Sequence, residues 1–557
     1  MLRKMLYVIP LSLLFWAGCS GTTPEPQDGV EISGTITYDR VPAKYSYGIA
    51  KLDYNAITQK PIKYVVVKAF DPNGNLLAET TTDKKGHYSL HVPENQDVKI
   101  RVYARMYKKD AWDVGVVDNT NMKALYVMEG AYHSSGTKHN IRNLNASSGW
   151  TGNSYTKPRV AAPFAILDSI NEVMDKVRSA DSDAFFPQLT VNWSVSNIAA
   201  GGDKEAGQII TSHYDGERAL WILGDENSDT DEYDDHIIIH EWGHYFEDQF
   251  SRTDSIGGPH SPGEALDIRL AFGEGWGNAL SGIATDNPIY FDTSGTQQSY
   301  GWYMDLEGGA QKNPGWYSEG SVQRILYDLY DRTNEGHDYT SLGFKPIYET
   351  MISKEKNTKA FTSIFSFIHG LKSNNQSKAS KIDKTVAYEN ISTIKDSYGT
   401  HRKNVANSQY VTPLYRDLGL GETITICNEN NFGVYNKLGN RSYVKVKITD
   451  AGNYRFDAAP NGQISPNQDP DILIYDTQKG QENIGISEKE GSPYDTLSIY
   501  LDVGDYLLDV YDVSFDNSCY NLTLNRGSTT YAKPTKEGGV MMKNGKKSRA
   551  LPKRHYY

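Results

Sequence analysis

The sequence predicts a multidomain chain, with a central α+β region flanked by two all-β sandwich domains. Three observations predict this. The chain has 557 residues, more than one hydrophobic core serves. Residues 30–105 and 421–526 alternate apolar and polar positions between turn signals, as half-buried strands do. The intervening 106–420 carries longer segments with helical spacing: one near 163–180, then DDHIIIHEWGHYFEDQF, RLAFGEGWGNALSGI and AFTSIFSFIHGLK.

The first element is a leader. MLRKMLYVIPLSLLFWAGCSG places Arg3 and Lys4 before an apolar run that ends in Ala17-Gly18-Cys19. This reads as a signal peptide over 1–18, with a linker over 19–29. The small residues before the cysteine resemble the bacterial lipobox, with Trp16 where leucine is usual. That resemblance implies cleavage before Cys19 and a lipidated N-terminus. Ser20 is compatible with outer-membrane sorting. The expected location is therefore the bacterial cell envelope, lipid-anchored in the outer membrane and facing periplasm or exterior. Cys427 and Cys519 remain once Cys19 is lipidated, and an oxidising compartment favours their pairing.

In 30–105, GTITYDR, IKYVVVKAFD, LLAETTTD, GHYSLHVP and DVKIRVYARM are separated by DPNGN and DKKG turns. Thr82, Asp83, Gly86 and Tyr88 carry a likeness to transthyretin-like and carboxypeptidase-regulatory-like modules. In 421–526, DPDILIYD and GDYLLDVYD resemble the bacterial pre-peptidase C-terminal domain. Such domains hold calcium or bind surfaces, which makes Asp469 and Asp471 calcium candidates beside an ordinary turn role. The tail, 527–557, is basic and lacks apolar periodicity, so disorder is predicted.

The central region carries the chemistry. His240 and His244 are four residues apart, so their imidazoles stack on one helix face and can grip one metal ion. Glu241 between them suits a general base. A solvated helix with two chance histidines is the alternative, but Ile237, Ile238, Ile239, Tyr245 and Phe246 make the segment too apolar for that. Glu274 is the single acid of the next helical run, between Phe272 and Trp276, and would be costly to bury without a partner. Asn278, four residues on, shares its face and can orient a ligand imidazole.

HEWGH followed by AFGEGWGNA resembles the gluzincin zinc metallopeptidases of the thermolysin-like group, closest to the fungalysin branch. The resemblance implies a thermolysin-like α+β domain over 106–420. It implies zinc held by His240, His244 and Glu274, with Glu241 as catalytic base. Asn278 departs from the aspartate usual in that family. Glu264 is a runner-up for third ligand, and His260 beside it reads as a loop residue. His236 reads as a helix-start residue. Phe250 stands where a metzincin would need histidine.

An oxyanion donor is also expected. Tyr317, three residues before Gly320, stands where the family helix carries a histidine, and His337 and Tyr327 are alternatives. TSHYDGERALWILGD reads as strand, and residues 211–214 would form the edge that pairs with substrate backbone. The acidic run 225–235 places Asp225, Asn227, Asp229 and Asp231 at alternate positions. This invites calcium, but it lacks an EF-hand's glycine and glutamate, so a solvated loop is expected. A net charge of −12 argues against nucleic-acid binding. The expected function is zinc-dependent endoproteolysis of a protein or peptide substrate, with membrane attachment through the lipid anchor. A non-catalytic adhesin on a peptidase fold and a zinc hydrolase of non-protein substrates are the competing classes.

Overall fold

The computed structural model describes residues 29–527 apart from 309–311, 334–335, 405–410, 463, 465–466, 478–482 and 488. The leader, Cys19 and the tail beyond 527 lie outside the described residues.

The N-terminal strands form where alternation predicts them. Val30–Arg40 pairs antiparallel with His87–Val92, and Val65–Phe70 pairs with Leu76–Thr81 and Asp97–Lys108. The turns between them are closed by aspartates. Asp71 accepts the Asn73 and Asn75 N–H groups, and Asp83 accepts those of Lys85 and His87. Gly86 takes a positive φ of 76° in the second turn, which only glycine adopts without strain.

The boundary expected at 105 falls inside a strand. Asp97–Lys108 continues by pairing to Trp112–Asp118, which runs parallel to Leu189–Trp193, and that in turn to Ala219–Ile222. His213–Tyr214 closes this sheet at its edge. The expected N-terminal sandwich and the central region therefore share one sheet, and their apolar residues merge into one core.

Helix α1 (Ala162–Ala180) packs on this sheet. Next come α2 (Asp235–Gln249), α3 (Ile268–Thr285) and α4 (Glu319–Tyr330). These three pack unusually closely because glycines face one another. A Cβ on Gly243 of α2 would stand 3.0 Å from Gly277 Cα of α3, and one on Gly275 would stand 2.5 Å from Val322 Cβ of α4.

The C-terminal sandwich begins earlier than 421, with Tyr415–Leu418 pairing parallel to Arg441–Ile448. One sheet orders Tyr415–Leu418, Arg441–Ile448, Gly504–Asp512, Pro470–Asp476 and Asn483–Ser487. The other orders Thr423–Asn428, Ser518–Arg526, Gly452–Pro460 and Asp495–Leu501. Val444, Phe456, Ile472, Leu508 and Leu522 fill the space between. Cys427 and Cys519 stand directly opposite on neighbouring strands and form a disulfide.

Candidate metal centre

Helix α2 is buried on almost every face, with Ile238, Ile239, Trp242 and Phe246 fully inside. His240 and His244 point from it toward α3, where Glu274 stands one and a half turns in. The three donor atoms form a small triangle. His240 Nε2 and His244 Nε2 are 3.2 Å apart, Glu274 Oε2 is 3.2 Å from the first and 3.6 Å from the second. Tetrahedral zinc at its usual ligand distances would separate its ligand atoms by about 3.4 Å. The triangle fits that geometry.

Each ring is held from behind. His240 Nδ1 donates to Asn278 Oδ1 at 2.9 Å, and Asn278 in turn donates its amide to Gln323 Oε1 at 3.0 Å on α4. This fixes the hydrogen on Nδ1 and leaves Nε2 with its lone pair toward the triangle. Gly277 makes the arrangement possible, since a Cβ there would stand 2.9 Å from His240 Nδ1. His244 Nδ1 faces Glu247 Oε2 at 3.4 Å, and Glu247 is fully buried. Glu247 was not legible as a site residue. A glutamate three positions after a histidine is common on helices, and only its burial marks it out.

Glu241 turns to the sheet edge. Its Oε2 accepts the Tyr214 backbone N–H at 2.9 Å, so the 211–214 segment lies beside the base. Burial pushes the Glu241 carboxyl above its ordinary range. Burial also works against ionisation of Glu274, but His260 and His244 outweigh it and hold that carboxyl well below the usual range.

His260 comes to the centre from a loop. Its Nε2 lies 3.2 Å from Glu274 Oε2 and 3.6 Å from Glu319 Oε2, and its Nδ1 donates to the Gly258 carbonyl. Both ring nitrogens thus face acceptors. Its Gly/Pro-rich loop has no periodicity that would signal this position in the sequence. Glu264 points elsewhere, to Lys437 Nζ at 3.2 Å and to the Ser261 N–H. Tyr317 packs its ring against Trp316 and over Gly315, and neither contact is with the three donors. His236 donates toward the Asn287 carbonyl, and Tyr327 packs inside against Tyr330.

The acidic run is not the solvated loop expected of it. Asp231 is buried and accepts a hydrogen bond from Ser212, and Asp234 accepts the Thr293 N–H and hydroxyl. Asp229 and Asp231 offer carboxylate oxygens that, with one from Asp292, lie within 4.8 Å of one another. Asp225 keeps a turn role and caps Asn227 N. In the sandwich, Asp469 accepts from Gly491 N and Ser492 N, and Asp471 from the Tyr511 hydroxyl.

No curated protein matches the chain. Among solved structures, the pre-peptidase C-terminal domain of the Bacillus anthracis collagenase is similar at 14% identity and a TM-score of 0.17. That match covers 20% of this chain and 93% of that one. The mitogen derived from Yersinia pseudotuberculosis is similar at 14% identity and a TM-score of 0.14, covering 22% and 95%. The Mycolysin C-terminal domain family matches residues 187–390, the stretch that holds α2, α3 and α4 with all three donors. That match points to a peptidase family.

Proposed function

We propose that the chain is a zinc-dependent endopeptidase of the gluzincin type, in which His240, His244 and Glu274 hold the metal and Glu241 is the general base. The observation that carries the reading is the buried triangle of two imidazole nitrogens and one carboxylate oxygen, sized for tetrahedral zinc, with a carboxylate next to it. When bound, zinc supplies Lewis acidity toward a water and a substrate carbonyl.

The chain's own residues do the rest. The Tyr214 N–H holds one oxygen of Glu241, leaving the other to take a proton from the attacking water and deliver it to the leaving nitrogen. His260 is anchored by Nδ1 on the Gly258 carbonyl, and its Nε2–H, which faces Glu274 and Glu319, is the group that would turn to the developing oxyanion. It takes that role in preference to Tyr317. Residues 211–214, at the sheet edge beside Glu241, pair with extended substrate backbone. In the same proposal the leader is cleaved before Cys19. The mature protein is then tethered by lipid in the bacterial envelope, and its substrate is protein or peptide.

The test is cleavage of a denatured protein mixture by the parent and by Glu241→Ala, each loaded with zinc. The parent is expected to cleave and the variant to bind equal zinc with cleavage at least roughly a thousandfold slower, the scale of losing a catalytic base together with its orientation of water. Equal cleavage by both would remove Glu241 from the mechanism.

A further inference from the structure

A second group of potential ligands sits at the other end of α4. Asp328, near the C-terminus of that helix, is 1% exposed, and neither of its carboxylate oxygens accepts a hydrogen bond. His337 and Asp338 come against it from the following loop, with His337 Nε2 3.9 Å from Asp328 Oδ2 and 4.0 Å from Asp338 Oδ1. One donor atom each from Asp328, His337 and Asp338 lies within 4.8 Å of the others. Asp338 also belongs to an adjoining set, with Glu307 and Asp331, that meets the same limit. Four carboxylates and one imidazole therefore converge on one small volume.

Arg324, one turn before Asp328 on α4, directs Nη1 to Glu389 at 2.7 Å and Nη2 to the Gly308 carbonyl at 2.8 Å. An ionised carboxylate buried with no donor is strongly disfavoured unless a cation or a proton neutralises it. Burial first, and then Asp338, push the Asp328 carboxyl up to about 9, against a smaller lowering by Arg324. Asp328 therefore either shares a proton with Asp338 or meets a cation.

We propose that Asp328, Asp338 and His337, with Glu307 and Asp331 adjoining, form a binding site for a hard divalent cation of the calcium class. Oxygen donors dominate the set, which suits calcium over zinc. The ion would tie the end of α4 to Asp331, to His337 and Asp338, and to Glu307, two residues beyond the Trp302–Asp305 strand. The site is separate from the catalytic triangle, because none of its members is among the groups around His240, His244 and Glu274. It is also separate from Asp229, Asp231 and Asp292.

The two states of the cluster predict opposite effects of neutralising it. Full-length protein carrying Glu241→Ala, to prevent self-digestion, is stripped of calcium with EGTA and titrated with calcium chloride. Thermal unfolding and bound calcium are followed. Asp328→Asn and Asp338→Asn are compared with this parent, with Asp231→Asn as the control for the other acidic group. The site predicts a rise in melting temperature with calcium, and one calcium fewer in Asp328→Asn and in Asp338→Asn than in this parent. The affinity loss is expected to be roughly tenfold or more, since calcium affinity follows ligand charge. If Asp328→Asn instead raises the melting temperature equally with and without calcium, the cluster shares a proton and the proposal fails. Unchanged calcium binding in both variants overturns it as well.

Discussion

Glu247 shows how much of the centre lies behind the ligands. It is buried, it faces His244 Nδ1, and its Oε1 has no hydrogen-bond partner. In the proposed zinc site this carboxylate would raise the basicity of the His244 ring and fix which nitrogen turns to the metal. Asn278 does the second task for His240 as a neutral acceptor, so Glu247 supplies the only carboxylate behind either imidazole among the described residues. Glu247→Ala is expected to weaken zinc affinity by roughly 10- to 100-fold. A competition titration against a chromogenic chelator measures this. Unchanged affinity would show that Glu247 only fills space.

The same scale shows what could be read from sequence. That His240, His244, Glu274 and Asn278 would meet was expected from helix spacing within each segment and from the resemblance of HEWGH and AFGEGWGNA, and the fold does bring them together. Glu247 and His260 were not expected there. Their roles depend on which buried group they meet, and that is set by packing and by a loop path with no period.

At the scale of elements, the loop bearing His260 is gripped by the C-terminal sandwich. Asn436 Nδ2 donates to the Gly257 and Pro259 carbonyls at 2.9 and 3.2 Å, and Lys437 Nζ donates to Pro259 O at 2.8 Å. The Leu438 N–H bonds the Ala265 carbonyl, which completes a clamp along 257–265. The start of α3 is fixed to the same domain. Arg269 is buried between Asp267 and Asp509, and Asp509 also takes Arg441 at 2.7 Å. A domain expected to be an appendage therefore braces the loop that delivers His260.

Asn436→Ala removes its two hydrogen bonds to the loop and the one its Oδ1 accepts from Lys437, each worth about 1 kcal/mol, too little to unfold the chain but enough to loosen the loop. Because a displacement of about 1 Å in a positioned group can cost on the order of 100-fold, kcat is expected to fall between roughly 10- and 100-fold. Zinc content is expected to stay the same and KM to change little. An unchanged kcat would show that the clamp has no part in catalysis.

For the whole molecule, alternation and turn chemistry made the two β regions legible, but not their limits. The 105 boundary failed because Asp97–Lys108 is paired on both edges, and a strand so placed belongs to one sheet with whatever follows it. The acidic run failed for a related reason. Charge suggested solvent, whereas Ser212 and Thr293 from other segments cover Asp231 and Asp234. The arrangement that results is one core running from the N-terminal strands through α1 to the helices of the metal centre, with the disulfide-closed sandwich docked on α3.

The central claim is that one zinc ion sits between α2 and α3. Crystals of the Glu241→Ala protein grown with zinc, measured on both sides of the zinc absorption edge, test it most directly. The account predicts one strong anomalous peak roughly 2.0–2.2 Å from His240 Nε2, His244 Nε2 and a Glu274 oxygen. No peak at that triangle, or a strongest peak at another set of residues, would contradict it.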